Sequence, residues 1–178
     1  LLNDLIKLQS LKFKKMKIPK FDKSIDDRLS KNKWSIIKKK PDVIIFEGWC
    51  VGARHEKKST LKNSINQLEK NEDGNMVWRN TVNSELKNNY LKLFKKINYL
   101  VYLKIPSFKY VIKWRSLQEK KLKGKTKGKK IMNNNQILRF IMFYERITKN
   151  MIKNISKIAN ILISLDSKHR LKRLRIKS

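Results

Sequence analysis

The run Pro41-Asp42-Val43-Ile44-Ile45-Phe46-Glu47-Gly48-Trp49-Cys50-Val51-Gly52 constrains the fold of this chain more than any other segment. Four apolar residues in succession, three of them β-branched, predict a buried parallel strand over 43–47, closed by Glu-Gly where the chain must leave the sheet. Ligands of open α/β sheets bind at the carboxyl ends of such strands. From the strand pattern alone Glu47 is either a plain turn residue or an acid placed for Mg²⁺ and nucleotide chemistry.

The rest of the chain alternates in the same manner. Residues 1–11 predict the end of a helix, and Pro19 excludes helix from the basic loop of residues 13–28. Ser59 or Thr60 is expected to cap a short helix to about Glu69, which Asn71-Glu72-Asp73-Gly74 ends as a turn. A helix is expected from Met76 to Ile97, then a strand over 99–103, then a helix from Pro106 to Lys123. Asn133 or Asn134 caps a further helix to Ile155, followed by a strand over 161–165. The whole predicts a single α/β domain over 1–178, with a parallel sheet flanked by helices, a mobile lid-like loop over 122–132 and a basic tail over 167–178.

Net charge is +31, from 45 basic and 14 acidic residues, and invites a nucleic-acid reading. Yet 36 of the basic residues are Lys, and Lys, Asn and Ile fill 74 positions against 2 for Ala. All three abundant residues have A/T-only codons, so genome composition can produce the bias unaided. The charge is also spread over every predicted element, which fits a solvated surface. A nucleic-acid-binding module stays as the alternative. The lone Cys50 fits a reducing cytoplasm, and no apolar run reaches the ~20 residues of a membrane span.

Several chemistries find no motif. The five glycines do not supply G-x-x-x-x-G-K-[ST], and Cys50, His55 and His169 have no metal-ligand spacing. No G-x-S-x-G nucleophile turn is present.

Four strings in order, Pro19 to Arg28 (PKFDKSIDDR), Val43 to Gly52 (VIIFEGWCVG), Trp78-Arg79 with Val82-Asn83, and Trp114 to Glu119 (WRSLQE), resemble the signatures of the plant-type D-glycerate 3-kinase family. Phe143 to Thr148 and Ala159 to Ile163 fit its last helix and strand, so the resemblance spans about residues 18–166. It implies a P-loop NTPase-like fold, ATP and Mg²⁺ as cofactors, and phosphoryl transfer to a hydroxyl of a small anionic metabolite, D-glycerate first. It places Glu47 beside Mg²⁺, directly or through water, as the catalytic carboxylate. Lys23, Asp26 and Arg28 fall on the acceptor side, and Arg115 and Arg146 on the phosphate, where an arginine's planar fork suits its oxygens. The family's phosphate-binding loop has no counterpart here, and the resemblance puts it upstream of Leu1. The chain is therefore expected to be a C-terminal part, incomplete at its N-terminus and with little or no activity alone, for which an N-terminal fragment could act as complementing partner. A non-catalytic, kinase-derived regulator is the remaining alternative.

Overall fold

The computed structural model describes residues 1–22, 27–123 and 132–177. They form two compact units, Leu1–Gly48 and Trp49–Ser178.

In the first unit, α1 (Leu2–Gln9) buries Leu5 and Leu8, three residues apart and so on one face. β1 (Met16–Ile18) ends at Pro19, which cannot donate to a ladder. β2 (Phe21–Asp22) pairs antiparallel with β3 (Asp27–Arg28), Phe21 opposite Arg28. A 3₁₀ turn at Lys31–Lys33 then leads to β4 (Ser35–Ile37), antiparallel to β1. The Trp34 indole N–H donates to the Leu29 carbonyl at 2.6 Å and fastens the turn.

The strand expected over 43–47 does not form. No described strand lies alongside it, and an extended run becomes a strand only when a neighbour takes up its N–H and C=O groups. Val43 and Ile45 are accordingly 75% and 86% exposed.

The second unit opens with the loop that ends the same motif. Gly52 has φ +83°, and a Cβ there would lie 2.9 Å from Ile155 Cδ1 and 3.0 Å from Leu100 Cδ2. Both the left-handed backbone and the lack of room demand glycine. Next to it Ala53 joins Leu86, Met151 and Ile155 in the core, with Cys50, Val82, Leu100, Tyr102 and Ile147 packed around them.

α2 (Lys58–Leu61) and α3 (Gln67–Glu72) replace the one short helix expected. The effective cap is Asn66, whose side chain accepts from the Glu69 N–H at 3.0 Å, rather than Ser59 or Thr60. The helix expected over 76–97 is split into α4 (Val77–Lys87) and α5 (Asn89–Phe94). Asn88 breaks it with φ −106° and ψ −81°, although its N–H still donates to the Ser84 carbonyl at 3.0 Å and its side-chain amide to Ser84 Oγ at 3.2 Å.

β5 (Val101–Lys104), α6 (Lys109–Lys123), α7 (Asn134–Asn154) and β6 (Ile161–Leu165) follow the sequence expectation closely. Asn133 and Gln136 form a reciprocal capping box at the start of α7. A 3₁₀ turn, Ile155–Lys157, joins α7 to β6. β5 and β6 are parallel, Val101 opposite Ile161. The expected basic tail is instead β7 (Leu171–Ile176), antiparallel to β6, so the sheet order is β5-β6-β7. Most of the lid-like segment, 124–131, lies outside the described residues.

Gly52→Ala is expected to destabilise the second unit by about 1–3 kcal/mol, from strain and overpacking together. Denaturant unfolding followed by Trp fluorescence measures it, and an unchanged midpoint would remove the packing account of this motif.

Candidate active site

Two parallel strands end side by side, at Lys104 in β5 and at Ser164-Leu165 in β6. The cleft at these ends has a volume of about 500 Å³, and Lys104, Tyr110, Ser164, Asp166, Lys172 and Arg173 are among its lining residues. Three cations against one carboxylate make it suited to an anion, in the place where α/β sheets bind ligands. Lys172 and Arg173 reach the cleft because β7 folds back on β6.

That return rests on Asp166. Its Oδ1 accepts from the backbone N–H groups of Lys168 at 2.7 Å and Arg170 at 2.9 Å, and its Oδ2 accepts from Arg170 Nε at 2.8 Å. The Arg170 backbone bond, helped by the Lys168 bond and by the Arg170 guanidinium, outweighs desolvation and pulls the carboxyl down to about 2. His169 takes up the left-handed backbone of the turn, φ +64°. Its ring lies 3.7 Å from that of Trp114, whose indole N–H points to the Ser167 carbonyl at 3.4 Å. α6 is thereby held against the β6–β7 turn.

Arg115, one residue on, is only 28% exposed and turned toward its own helix and α7. It donates to Glu119 at 2.7 Å and to Gln118 at 2.8 Å, and its guanidinium stacks 5.0 Å from the Phe140 ring. Its Nε is buried without a partner among the described residues. A rotamer change would be needed to bring it to a phosphate.

Arg146 is committed more fully. Nε and a terminal nitrogen bind the two oxygens of Glu69 at 2.7 and 2.6 Å, and further bonds go to the Asn63 carbonyl at 2.7 Å and to Glu56 at 3.3 Å. Burial pushes the Glu69 carboxyl up, but the Arg146 bonds, the Ile65 N–H and the charges of Arg146 and Arg79 prevail and hold it below the ordinary range. Glu69 is 1% exposed. Beside it Arg79, 4% exposed, donates to the Leu61 carbonyl at 2.7 Å, to the Asp73 carbonyl at 2.7 Å and to the Asp73 carboxylate at 3.1 Å. Asn83 exchanges two hydrogen bonds with the backbone of Glu56, at 2.7 and 3.1 Å. The W-R and V-N strings are therefore framework.

In the first unit, Glu47 is exposed, with no hydrogen bond or ion pair among the described residues. Such a carboxylate can serve Mg²⁺ when phosphates supply the other ligands. No cluster of three or more His, Cys, Asp or Glu is available to a metal among the described residues. Arg28 is exposed at the end of β3, and Lys23 and Asp26 fall outside the described residues. Sequence reasoning missed Lys104, Lys172 and Arg173. The apolar-basic-apolar spacing Leu174-Arg175-Ile176, set off from Leu171 by two basic residues where the pairing with β6 is irregular, is the signal that could have revealed β7.

No family model matches the chain. The uncharacterized kinase mug58 of Schizosaccharomyces pombe is 32% identical over 134 residues, which make up 71% of this chain and 46% of that protein. A D-glycerate 3-kinase from Cryptococcus neoformans var. grubii superposes with a TM-score of 0.75 at 21% identity, covering 99% of this chain and 65% of that one. The YGR205w protein superposes with a TM-score of 0.68 at 21% identity, over 98% and 63% of the two chains. The chain thus spans about half the length of the curated relative and under two thirds of each solved structure. The likenesses give it the α/β fold seen in those structures, and the resemblance read from the four strings is borne out. No helix among the described residues is long and apolar enough to cross a membrane.

Arg146→Met is expected to cost about 3–5 kcal/mol near neutral pH, because it leaves Glu69 charged and buried without its partner. Since the folded state lowers the Glu69 carboxyl, its contribution is complete above the ordinary carboxylate range and is lost as pH falls from there through the lowered folded-state value. Glu69→Gln should therefore flatten the fall in stability that sets in below about pH 5. Urea unfolding across that range checks both, and identical acid limbs in the two proteins would refute the assignment.

Proposed function

We propose that this chain forms the acceptor-side and lid-side part of an ATP-dependent kinase that phosphorylates a hydroxyl of a small anionic metabolite, D-glycerate being the first acceptor to test. The observation that supports it is the likeness to a D-glycerate 3-kinase along nearly the whole chain. The phosphate-binding loop would come from a further stretch of polypeptide, and the 178 residues alone would turn over little or no ATP.

ATP with Mg²⁺ would supply the transferable phosphoryl group and neutralise much of its charge. The acceptor hydroxyl oxygen forms the new P–O bond, the bond to the bridging oxygen breaks with its electrons on ADP, and the hydroxyl proton leaves to a base or solvent. Glu47 would hold Mg²⁺, directly or through water. Lys23 and Arg28 would bind the acceptor carboxylate, with Asp26 orienting its hydroxyl. Lys104, Lys172 and Arg173 give the strand-end cleft the charge a nucleotide needs. Arg115 would release Glu119 to meet the phosphate, whereas we assign Arg146 to holding Glu69 and Glu56 in place.

The test is ADP release with D-glycerate, measured on the chain alone and on the chain joined or mixed with a phosphate-loop segment. Activity is expected only in the second case. In the active form Arg28→Ala should raise KM for D-glycerate with little change in kcat, and Arg115→Ala should lower kcat about tenfold to a hundredfold. Turnover by the isolated chain would sink the requirement for a partner segment, and no turnover of any hydroxy acid, sugar or nucleoside in the joined form would sink the kinase reading.

A further inference from the structure

Three rings touch in series beside the strand-end cleft. Tyr110 and Trp114, four residues apart and so on one face of α6, have ring centroids 6.0 Å apart, and the His169 ring lies 3.7 Å from that of Trp114. Cations surround them. Lys109 and Lys113 reach to 5.8 and 6.0 Å from the centre of the Tyr110 ring. Tyr110 shares the cleft wall with Lys104, Lys172 and Arg173, and the exposed Lys168 and Arg170 flank His169 in the turn. Residues 99–118 and 160–177, which build this region, contain one acid, Asp166, and its carboxylate is taken by Arg170 and by the backbone of the turn. An abundance of lysine does not by itself set exposed cations around a series of rings, whereas the return of β7 onto β6 does.

We infer that this surface binds single-stranded nucleic acid, a function additional to the kinase reading and independent of it. The two parts of the surface match the two parts of that ligand. The cations neutralise backbone phosphates and release the counterions condensed on the strand. The rings offer stacking to its bases, for which tyrosine, tryptophan and histidine all serve. A duplex keeps its bases stacked on one another, so the rings select the single strand. Inorganic phosphate would use the cations and leave the rings idle, and a lone nucleotide needs only the cleft. His169 is the exposed ring of the three, the other two being half-buried, and it is the one that meets a base first.

The probe is a fluorescein-labelled strand of about twelve uridylates, titrated with the 178-residue chain in fluorescence anisotropy. Saturable binding is expected, with log K falling against log salt at a slope of about −3, the value for roughly four phosphate contacts on a single strand. Lys113→Glu with Lys172→Glu should weaken it about tenfold more than the same charge change made by Lys62→Glu with Lys87→Glu, both exposed and in the α2–α4 segment. His169→Asn suits the left-handed backbone and removes the ring. It should weaken binding about tenfold with the salt slope unchanged. Tyr110→Leu removes a second ring, is expected to act alike, and decides the question if circular dichroism shows the turn variant to have lost its fold. Absence of binding, equal losses in the patch and control variants, ring variants that bind as the parent does, or a duplex or a single nucleotide bound as tightly as the strand would each overturn the inference.

Discussion

A buried arginine, Arg79, sets the terms for the second unit. Its donors reach main-chain or carboxylate oxygens of Leu61, Glu69 and Asp73, which belong to α2, α3 and the turn after it. A charge at 4% exposure persists only when its donors are satisfied, so these segments can adopt one mutual arrangement and few others. Arg146 repeats the device from α7, taking both oxygens of Glu69 and adding Glu56. Two arginines thereby tie α2, α3 and the turns beside them to α4 and α7.

This division of labour explains why the strings that carry the family resemblance do different things. Gly52 and Cys50 belong to packing, Arg79 and Asn83 to the polar framework, and Trp114 to the tether between α6 and the β6–β7 turn. Of the string residues read as functional, Glu47 and Arg28 are exposed, while Arg115 is held by Glu119.

Helical periodicity was readable because each helix carries its own signal. α7 shows this best, with Ile137, Ile141 and Met151 buried at helical spacing and Asn133 and Gln136 closing the capping box. β6 was equally legible, being short, β-branched and flanked by turn residues. What escaped depended on partners elsewhere in the chain. Val43 to Glu47 has the composition of a buried strand, but no described strand completes its ladder. β7 has the composition of a tail, but Asp166 and the left-handed His169 turn it back onto β6. Asn88 illustrates the finest scale, where the non-helical φ and ψ of one residue interrupt an apolar spacing that runs through it.

The β6–β7 return also decides how the strand-end cleft behaves electrostatically. Lys172 and Arg173 arrive on the paired strand β7 rather than on a free loop, and Lys104 closes the parallel strand next to β6. The backbone positions of Lys104 and Arg173 are set by sheet pairing before any ligand arrives, and Lys172 sits at the bulge beside Arg173. The cleft's positive potential is thus largely preorganised, and an anion entering it meets dipoles and charges that need little rearrangement. Binding there would be limited by the ordering of the cation side chains, while the stiffness of three strands supplies the rest.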